Sequence, residues 1–249
     1  MAVSPGLYLL PNLLSPDAGD EQGFLGSFQP LVLALDGVIA ESEKGARHFL
    51  RRFGSLHRAP LSELPISLCN EHKTAAEIAA LTAPLERKEA WGLLSDAGLP
   101  ILADPGSDLV FLCRRKNIPV HPLPGPSSLF YALMLSGFPA QNFAFQGYLP
   151  RKEGALRKKL ILMERAAKKE GQTQLFIEAP YRTQKMIDSV LDCLEEKTYF
   201  AVFWNLTAPS EGGRVDRVSC WKKGPLPCLN KAPAVFLISC YEIFSPQTT

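Results

Sequence analysis

Short apolar runs alternate with longer amphipathic segments along this 249-residue chain, and that alternation restricts its fold more than any other feature. The runs at 6–11, 38–40, 65–70, 90–95, 118–123, 142–150, 173–180, 198–207 and 232–243 are short and mostly bounded by Pro, Gly, Asn or Ser, which predicts strands. Between them lie segments of helical period. Ser42 is placed to cap a helix whose apolar face is Ala46, Phe49, Leu50 and Phe53, with Gly54 as its stop. Thr74 with Glu77 three residues on is the capping-box pattern. Further helices are predicted over 107–117, 128–138, 153–171 (ended by Gly171) and 183–196. Strands joined through helices pair mostly in parallel, so the expected class is α/β with substantial parallel sheet. The length allows two domains of about 120 residues. The run Pro-Leu-Pro-Gly-Pro at 122–126 is the weakest point of continuity, which divides the chain into α/β domains 1–124 and 125–249.

Several function classes are excluded early. With 46% apolar and 21% charged residues, the chain is an ordinary globular one. A net charge of +2 permits an RNA-contacting face without requiring it. The six cysteines form no CxxC pair, so neither zinc spacing nor a small disulfide framework is present, and they are expected as reduced thiols. The four scattered histidines suggest no metal site. No apolar run approaches the ~20 residues of a membrane span. The N-terminal MAVSPGLYLLPNLL has no charged stretch ahead of its apolar segment, so no signal peptide and a cytoplasmic setting are expected.

Two turn clusters, SDAGLPILADPG (95–106) and PLPGPSS (122–128), follow consecutive predicted strands. Ligands of open α/β sheets bind beyond the carboxyl ends of strands, in the loops found there. Glycine lets a ligand approach the backbone, and proline stiffens the turn beforehand. Together they offer pre-aimed N–H and C=O groups. Plain tight connections are the alternative.

The segments LLSDAGLPILADPGSDLV, VHPLPGPSSLFYALMLSGF, FQGYLPRKEGALRKKL and FIEAPYRTQKMIDSVL, in that order and spacing, resemble the tetrapyrrole methylase superfamily. More closely they resemble its ribosomal RNA small subunit methyltransferase I branch, which methylates a ribose 2′-oxygen of 16S rRNA. The resemblance runs from about Leu7 to Ile238. It implies a two-domain tetrapyrrole methylase-like fold with an S-adenosylmethionine cleft between the domains, a homodimer, and small-subunit rRNA as substrate. It also implies cofactor contacts at Pro11, Asp96, Gly98, Leu99, Pro100, Ile101, Ser127 and Ser128, and in the second domain at Asn205, Leu206, Thr207, Pro233, Ala234 and Val235.

The chain departs from the branch in three places. The branch's AEDTR reads AESEK (40–44), its SDAGTP reads SDAGLP with Leu99 in place of a threonine, and its TPIGN-like turn reads NLLSPD (12–17). No extension past the methylase core is expected. Because these changes touch the acceptor side, two further readings remain: methylation of a tetrapyrrole or other small molecule, and a non-catalytic S-adenosylmethionine-binding protein.

Glu41, Asp96 and Glu178 are candidate bases for a hydroxyl acceptor. Each has a structural alternative: Asp96 as a turn cap, Glu41 as a structural partner, Glu178 as a partner of Arg182. Tyr181 and Arg182 either hold substrate phosphate or shape the site. The run 151–159 with Lys168 and Lys169 is the best basic patch, with a solvated helix face as its alternative. Trp91, Trp204 and Trp221 are expected to pack in the core.

Overall fold

The computed structural model describes residues 3–18, 24–53, 63–229 and 231–241. The chain divides into two compact units, Met1–Ser127 and Ser128–Thr249.

The first unit runs β1 (Gly6–Leu10), α1 (Phe24–Val32), β2 (Gly37–Ala40), α2 (Glu43–Arg51), β3 (Ile66–Leu68), α3 (Ala75–Ala80), α4 (Ala83–Glu86), β4 (Ala90–Leu94), α5 (Ser107–Arg115) and β5 (Val120–Pro122). Its five strands, in the order β3-β2-β4-β1-β5, all pair in parallel. The central strand β4, AWGLL, is buried at every residue, as expected of a strand covered on both faces. Alternate side chains serve opposite layers. Tyr8, Leu10, Val38, Ala40 and Leu94 join Ala46, Phe49 and Leu50 of α2 in one cluster. Leu7, Ile39, Trp91 and Leu93 join Leu109 and Cys113 of α5 in another. Helix α2 starts where expected, with Ser42 Oγ accepting from Gly45 N at 2.9 Å. Gly54, its expected stop, lies outside the described residues. The capping box of Thr74 and Glu77 opens α3.

The second unit runs α6 (Ser128–Ser136), β6 (Phe143–Tyr148), α7 (Glu153–Glu170), β7 (Thr173–Glu178), a 3₁₀ turn (Pro180–Arg182), α8 (Thr183–Cys193), β8 (Tyr199–Trp204), β9 (Gly212–Arg217), α9 (Val218–Lys223) and β10 (Ala234–Ser239). Gly171, at φ 60°, ends α7 as predicted. The sheet order is β6-β7-β10-β8-β9. Only β6 and β7 pair in parallel; the other three pairings are antiparallel, so this sheet is mixed, and the substantial parallel sheet expected of the chain lies mainly in the first unit. The connection through α8 leaves a gap between β7 and β8, and the last strand, β10, fills it in the opposite sense. One core lies beneath: Leu156, Leu160 and Met163 of α7, Ile187 and Val190 of α8 and Trp221 of α9 pack on Phe176, Phe200 and Phe236.

Three elements escape the periodicity. Helix α1 contains Gly26 and Pro30 and no acidic residue in its first turn. Strand β9 is an edge strand with only half-buried and exposed residues, and α9 is six residues long. The strand predicted over 198–207 stops at Trp204, because Asn205 (φ 49°) and Thr207 (φ 72°) turn the chain away. None of the six cysteines is in a disulfide. Among the described residues no helix is long and apolar enough to cross a membrane.

Trp221 is fully buried, sits 5.1 Å from the Phe200 ring and donates Nε1–H to the Phe200 carbonyl at 2.9 Å. We expect Trp221→Ala to lower the unfolding free energy by about 3–5 kcal/mol. Trp221→Phe keeps much of the bulk but strands that carbonyl, and should lose about 1–3 kcal/mol. Urea denaturation followed by circular dichroism measures both.

Candidate functional site

In the first unit, Leu10 and Ala40 both pair in register with Leu94, so β1, β2 and β4 end level and their loops leave side by side. Pro11, Glu41 and Ser95 are the next residues, and their backbone groups can no longer be satisfied by the ladder. Asn12, buried and unrecognised from the sequence, satisfies much of this demand. Its Nδ2 donates to the carbonyls of Ser95 (3.1 Å) and Asp96 (2.9 Å), and its Oδ1 accepts from Leu13 N (2.9 Å). Asn12 N donates to Gly98 O at 2.8 Å, and Gly98 N returns to Leu13 O at 3.3 Å. The signal available was the asparagine directly after a strand-ending proline, a turn former that bonds to backbone.

The loop after β5 joins this group. A Cβ on Gly125 would fall 2.1 Å from Pro11 Cβ and 3.3 Å from Leu99, and one on Gly98 would fall 3.4 Å from the Pro126 carbonyl. The structure therefore brings Pro11, Gly98, Leu99 and the 125–126 turn together, as the two turn clusters suggested. Ile101 and Ala103 hold φ of 77° and 71°, a region a β-branched residue such as isoleucine rarely occupies. Strain of this kind collects where surrounding structure dictates the backbone, often at ligand clamps. Ser127, also buried, is the last residue of this unit.

Acidic groups line the same edge. The Asp96 carboxylate accepts from Ser42 Oγ at 3.1 Å and lies on the first turn of α2, where the helix dipole favours negative charge. It comes so close that a Cβ on Gly45 would sit 1.9 Å from Oδ1. Asp96 thus reaches across to Ser42, the residue that caps α2. Burial first, then the charges of Asp104 and Asp96, push the Glu41 carboxyl up; the Asp96 backbone N–H pulls it partly back, and Glu71 adds to the rise. Asp104 is likewise raised, chiefly by burial and further by Asp96, against a hydrogen bond from the Ser95 side chain.

The second unit gathers its predicted residues at one end of its own sheet. Ala234 pairs with both Glu178 and Trp204, which sets Pro233, Ala234 and Val235 level with the turn Asn205–Leu206–Thr207. Asn205 N donates to Pro233 O at 3.0 Å, and buried Thr207 Oγ1 has no hydrogen-bond partner among the described residues. Glu178 is buried, accepts from Ala179 N at 2.9 Å and approaches Arg182 Nη1 at 3.3 Å, so these two charges hold one another. Tyr181 is exposed, and Ser128 begins α6. Among the described residues no group of three or more His, Cys, Asp or Glu could hold a metal ion.

Residues 34–216 match the family described as Tetrapyrrole (Corrin/Porphyrin) Methylases. Ribosomal RNA small subunit methyltransferase I of Escherichia coli O157:H7 is 30% identical over 220 residues, 87% of this chain and 72% of that protein. This chain belongs to the tetrapyrrole methylases. The Thermotoga maritima protein of the same name is 35% identical over 136 residues, 55% of this chain and 59% of its own length. The crystal structure of cobalt precorrin-4 methyltransferase CbiF aligns with a TM-score of 0.54 at 15% identity over 94% of both chains, a likeness of fold. Membership places the chain among methyltransferases, in a family whose enzymes use S-adenosylmethionine.

The crowded carboxylates of this tetrapyrrole methylase make a pH prediction. Asp104 has a folded-state pKa above its unfolded value, so the folded state is penalised at neutral pH and the penalty vanishes as both states become protonated. Asp104→Asn should therefore raise stability near pH 7, with the gain shrinking as pH falls through the raised value. Melting temperatures measured from pH 7 down to 4 test this.

Proposed function

We propose that this chain transfers the methyl group of S-adenosylmethionine to a ribose 2′-oxygen of the small-subunit rRNA. The observation that carries the reading is the interlock of the 11–13, 95–101 and 125–126 turns. Two of the four motifs that resemble the rRNA-methylating branch, 95–106 and 122–128, meet at this edge, and Asn12 ties the first of them to the turn after β1. The relatives named above are called ribosomal RNA small subunit methyltransferase I, which supports the small-subunit rRNA as substrate.

The turns suit the cofactor. Gly98 and Gly125 let the turns pack closely on Leu14, Pro11 and Leu99 where a side chain would collide, and the φ of Ile101 sets the direction of its peptide groups in advance. We assign Pro11, Gly98, Leu99, Pro100, Ile101 and Ser127 in the first unit to the cofactor. In the second we assign Ser128, Asn205, Leu206 and the 233–235 segment, with the Thr207 hydroxyl awaiting an acceptor. When bound, S-adenosylmethionine supplies an electrophilic methyl carbon on a sulfonium. The chain's contribution is position, which in favourable intramolecular cases is worth on the order of 7–11 kcal/mol. Glu41 is the base of choice for the hydroxyl proton, because its raised basicity suits proton abstraction near neutrality better than an ordinary carboxylate. Asp96, held by Ser42, positions the loop, and Glu178 is engaged by Arg182.

A homodimer completes the reading. Phe130, Met134 and Leu135 of α6 are exposed on a helix that is apolar on all sides, and Phe130 meets exposed Phe143 edge-on at 6.2 Å. A second copy is the natural cover for such a face.

Thermal shift with S-adenosylmethionine and S-adenosylhomocysteine should show stabilisation, since both bind the folded state. Labelled methyl transfer to small ribosomal subunits lacking endogenous methylation should follow. Transfer to a tetrapyrrole alone, or binding without transfer, would replace the rRNA reading. Gly125→Ala should retain the fold yet lower transfer by up to ~10²-fold, because Pro11 and Leu99 must move to admit the methyl group.

A further inference from the structure

Helix α7 holds eighteen residues, Glu153–Glu170, and is about 27 Å long. Leu156, Leu160, Met163 and Ala167 form its buried stripe. Lys158, Leu162, Arg165 and Lys169 repeat that spacing two residues later, and all four are exposed. Two residues are about 200° of helical rotation, so this second stripe points directly away from the core. Exposed Arg151, seven residues before Lys158, extends its line just ahead of the helix.

The stripe is charged beyond what solvation needs. The segment from Arg151 to Glu170 has eight basic and three acidic side chains, net +5, whereas the whole chain is +2, leaving the remainder at −3. Cations on the flanks of α7 have partners within the fold: Lys168 with Glu195 and Glu164, Lys159 with Gln146, Arg157 with Cys193. Arg151, Lys158, Arg165 and Lys169 form no ion pair among the described residues. An ordinary solvated helix face intersperses carboxylates at i,i+4, and here Glu164 is turned inward to accept from the Glu195 backbone at 2.9 Å.

We propose that Arg151, Lys158, Arg165 and Lys169 form a docking surface for the phosphate backbone of the RNA substrate. The inference rests on the rRNA reading above and adds a surface to it. The cations recur every ~6–10 Å along a straight helix, a spacing that meets successive stretches of one strand. Such contacts orient the RNA without reading its sequence. A lone exposed Leu162 offers too little apolar area for a membrane surface.

The test compares two triple variants with equal loss of charge. One is Lys158→Gln, Arg165→Gln, Lys169→Gln; the control, on α8 and α9, is Lys185→Gln, Lys222→Gln, Lys223→Gln. Filter binding to 16S rRNA across a salt series reads affinity, and thermal shift with S-adenosylmethionine confirms folding and cofactor binding. The stripe variant should bind RNA about tenfold or more weaker, with its log K against log salt slope shallower by about 2; the control should stay near wild type. Equal effects in both variants, or none in the first, overturn the docking surface and leave the rRNA reading standing. A wild-type protein that is stabilised by S-adenosylmethionine but has no affinity for 16S rRNA sinks both. If the stripe served an acidic protein instead, RNA binding would not change, which also counts against the proposal.

Discussion

Three parallel strands that end on the same level create a shortage of hydrogen-bond partners. Beyond Leu10, Ala40 and Leu94 the ladder stops, and the peptide groups that follow are too enclosed to rely on water. Asn12 resolves the shortage with one side chain, donating to two carbonyls of the β4 loop and accepting from its own turn. The return bonds between Asn12, Leu13 and Gly98 make the two loops a short continuation of the sheet. The placement of Pro11, the approach of Gly125 and the left-handed backbone at Ile101 are sustained by that tie, because strained turns persist only where neighbours over-determine them.

Charge is distributed with equal economy. The sheet edge of the first unit gathers Glu41 and Asp104 beside Asp96, and burial together with the Asp96 charge opposes ionisation of the first two. Helix α7 of the second unit gathers cations on its outer side. A nearly neutral chain thus carries local fields of opposite sign, which the total of +2 conceals. Carboxylates held above their ordinary range are costly to the fold at neutral pH, a pattern common where activity rather than stability sets the residues.

The alternation of runs and helical segments revealed the α/β class, and caps at Ser42, Thr74 and Gly171 marked helix ends, because each depends on local chemistry. Nothing local reports that the last strand returns between β7 and β8, so the mixed second sheet was hidden. Edge strand β9 escaped for another reason: with no face fully buried it has no apolar alternation to show. At the candidate site the glycines and prolines stood out, since they act through their own backbone. Asn12 did not, because its importance lies in bonds to residues more than eighty positions away. The pairing of Glu178 with Arg182, four residues apart across a 3₁₀ turn, was within reach of sequence reasoning.

The same distinction explains the AESEK departure, which as a string suggests a lost acceptor site. In space, Ser42 and Gly45 form one unit with Asp96: the hydroxyl donates to the carboxylate, and the absent Cβ makes room for it. An aspartate at position 42, as in the AEDTR form, would cap α2 equally well, since Asp and Ser are comparable N-caps. It would also set a second carboxylate against Asp96, beside Glu41 and Asp104, whose affinity for protons the Asp96 charge already raises. Serine keeps the cap and turns a repulsion into a hydrogen bond, while the carboxylate reappears one residue on as exposed Glu43, 3.5 Å from Arg47. The departure therefore shifts a carboxylate away from Asp96 to an exposed position on α2 and leaves Glu41 in place.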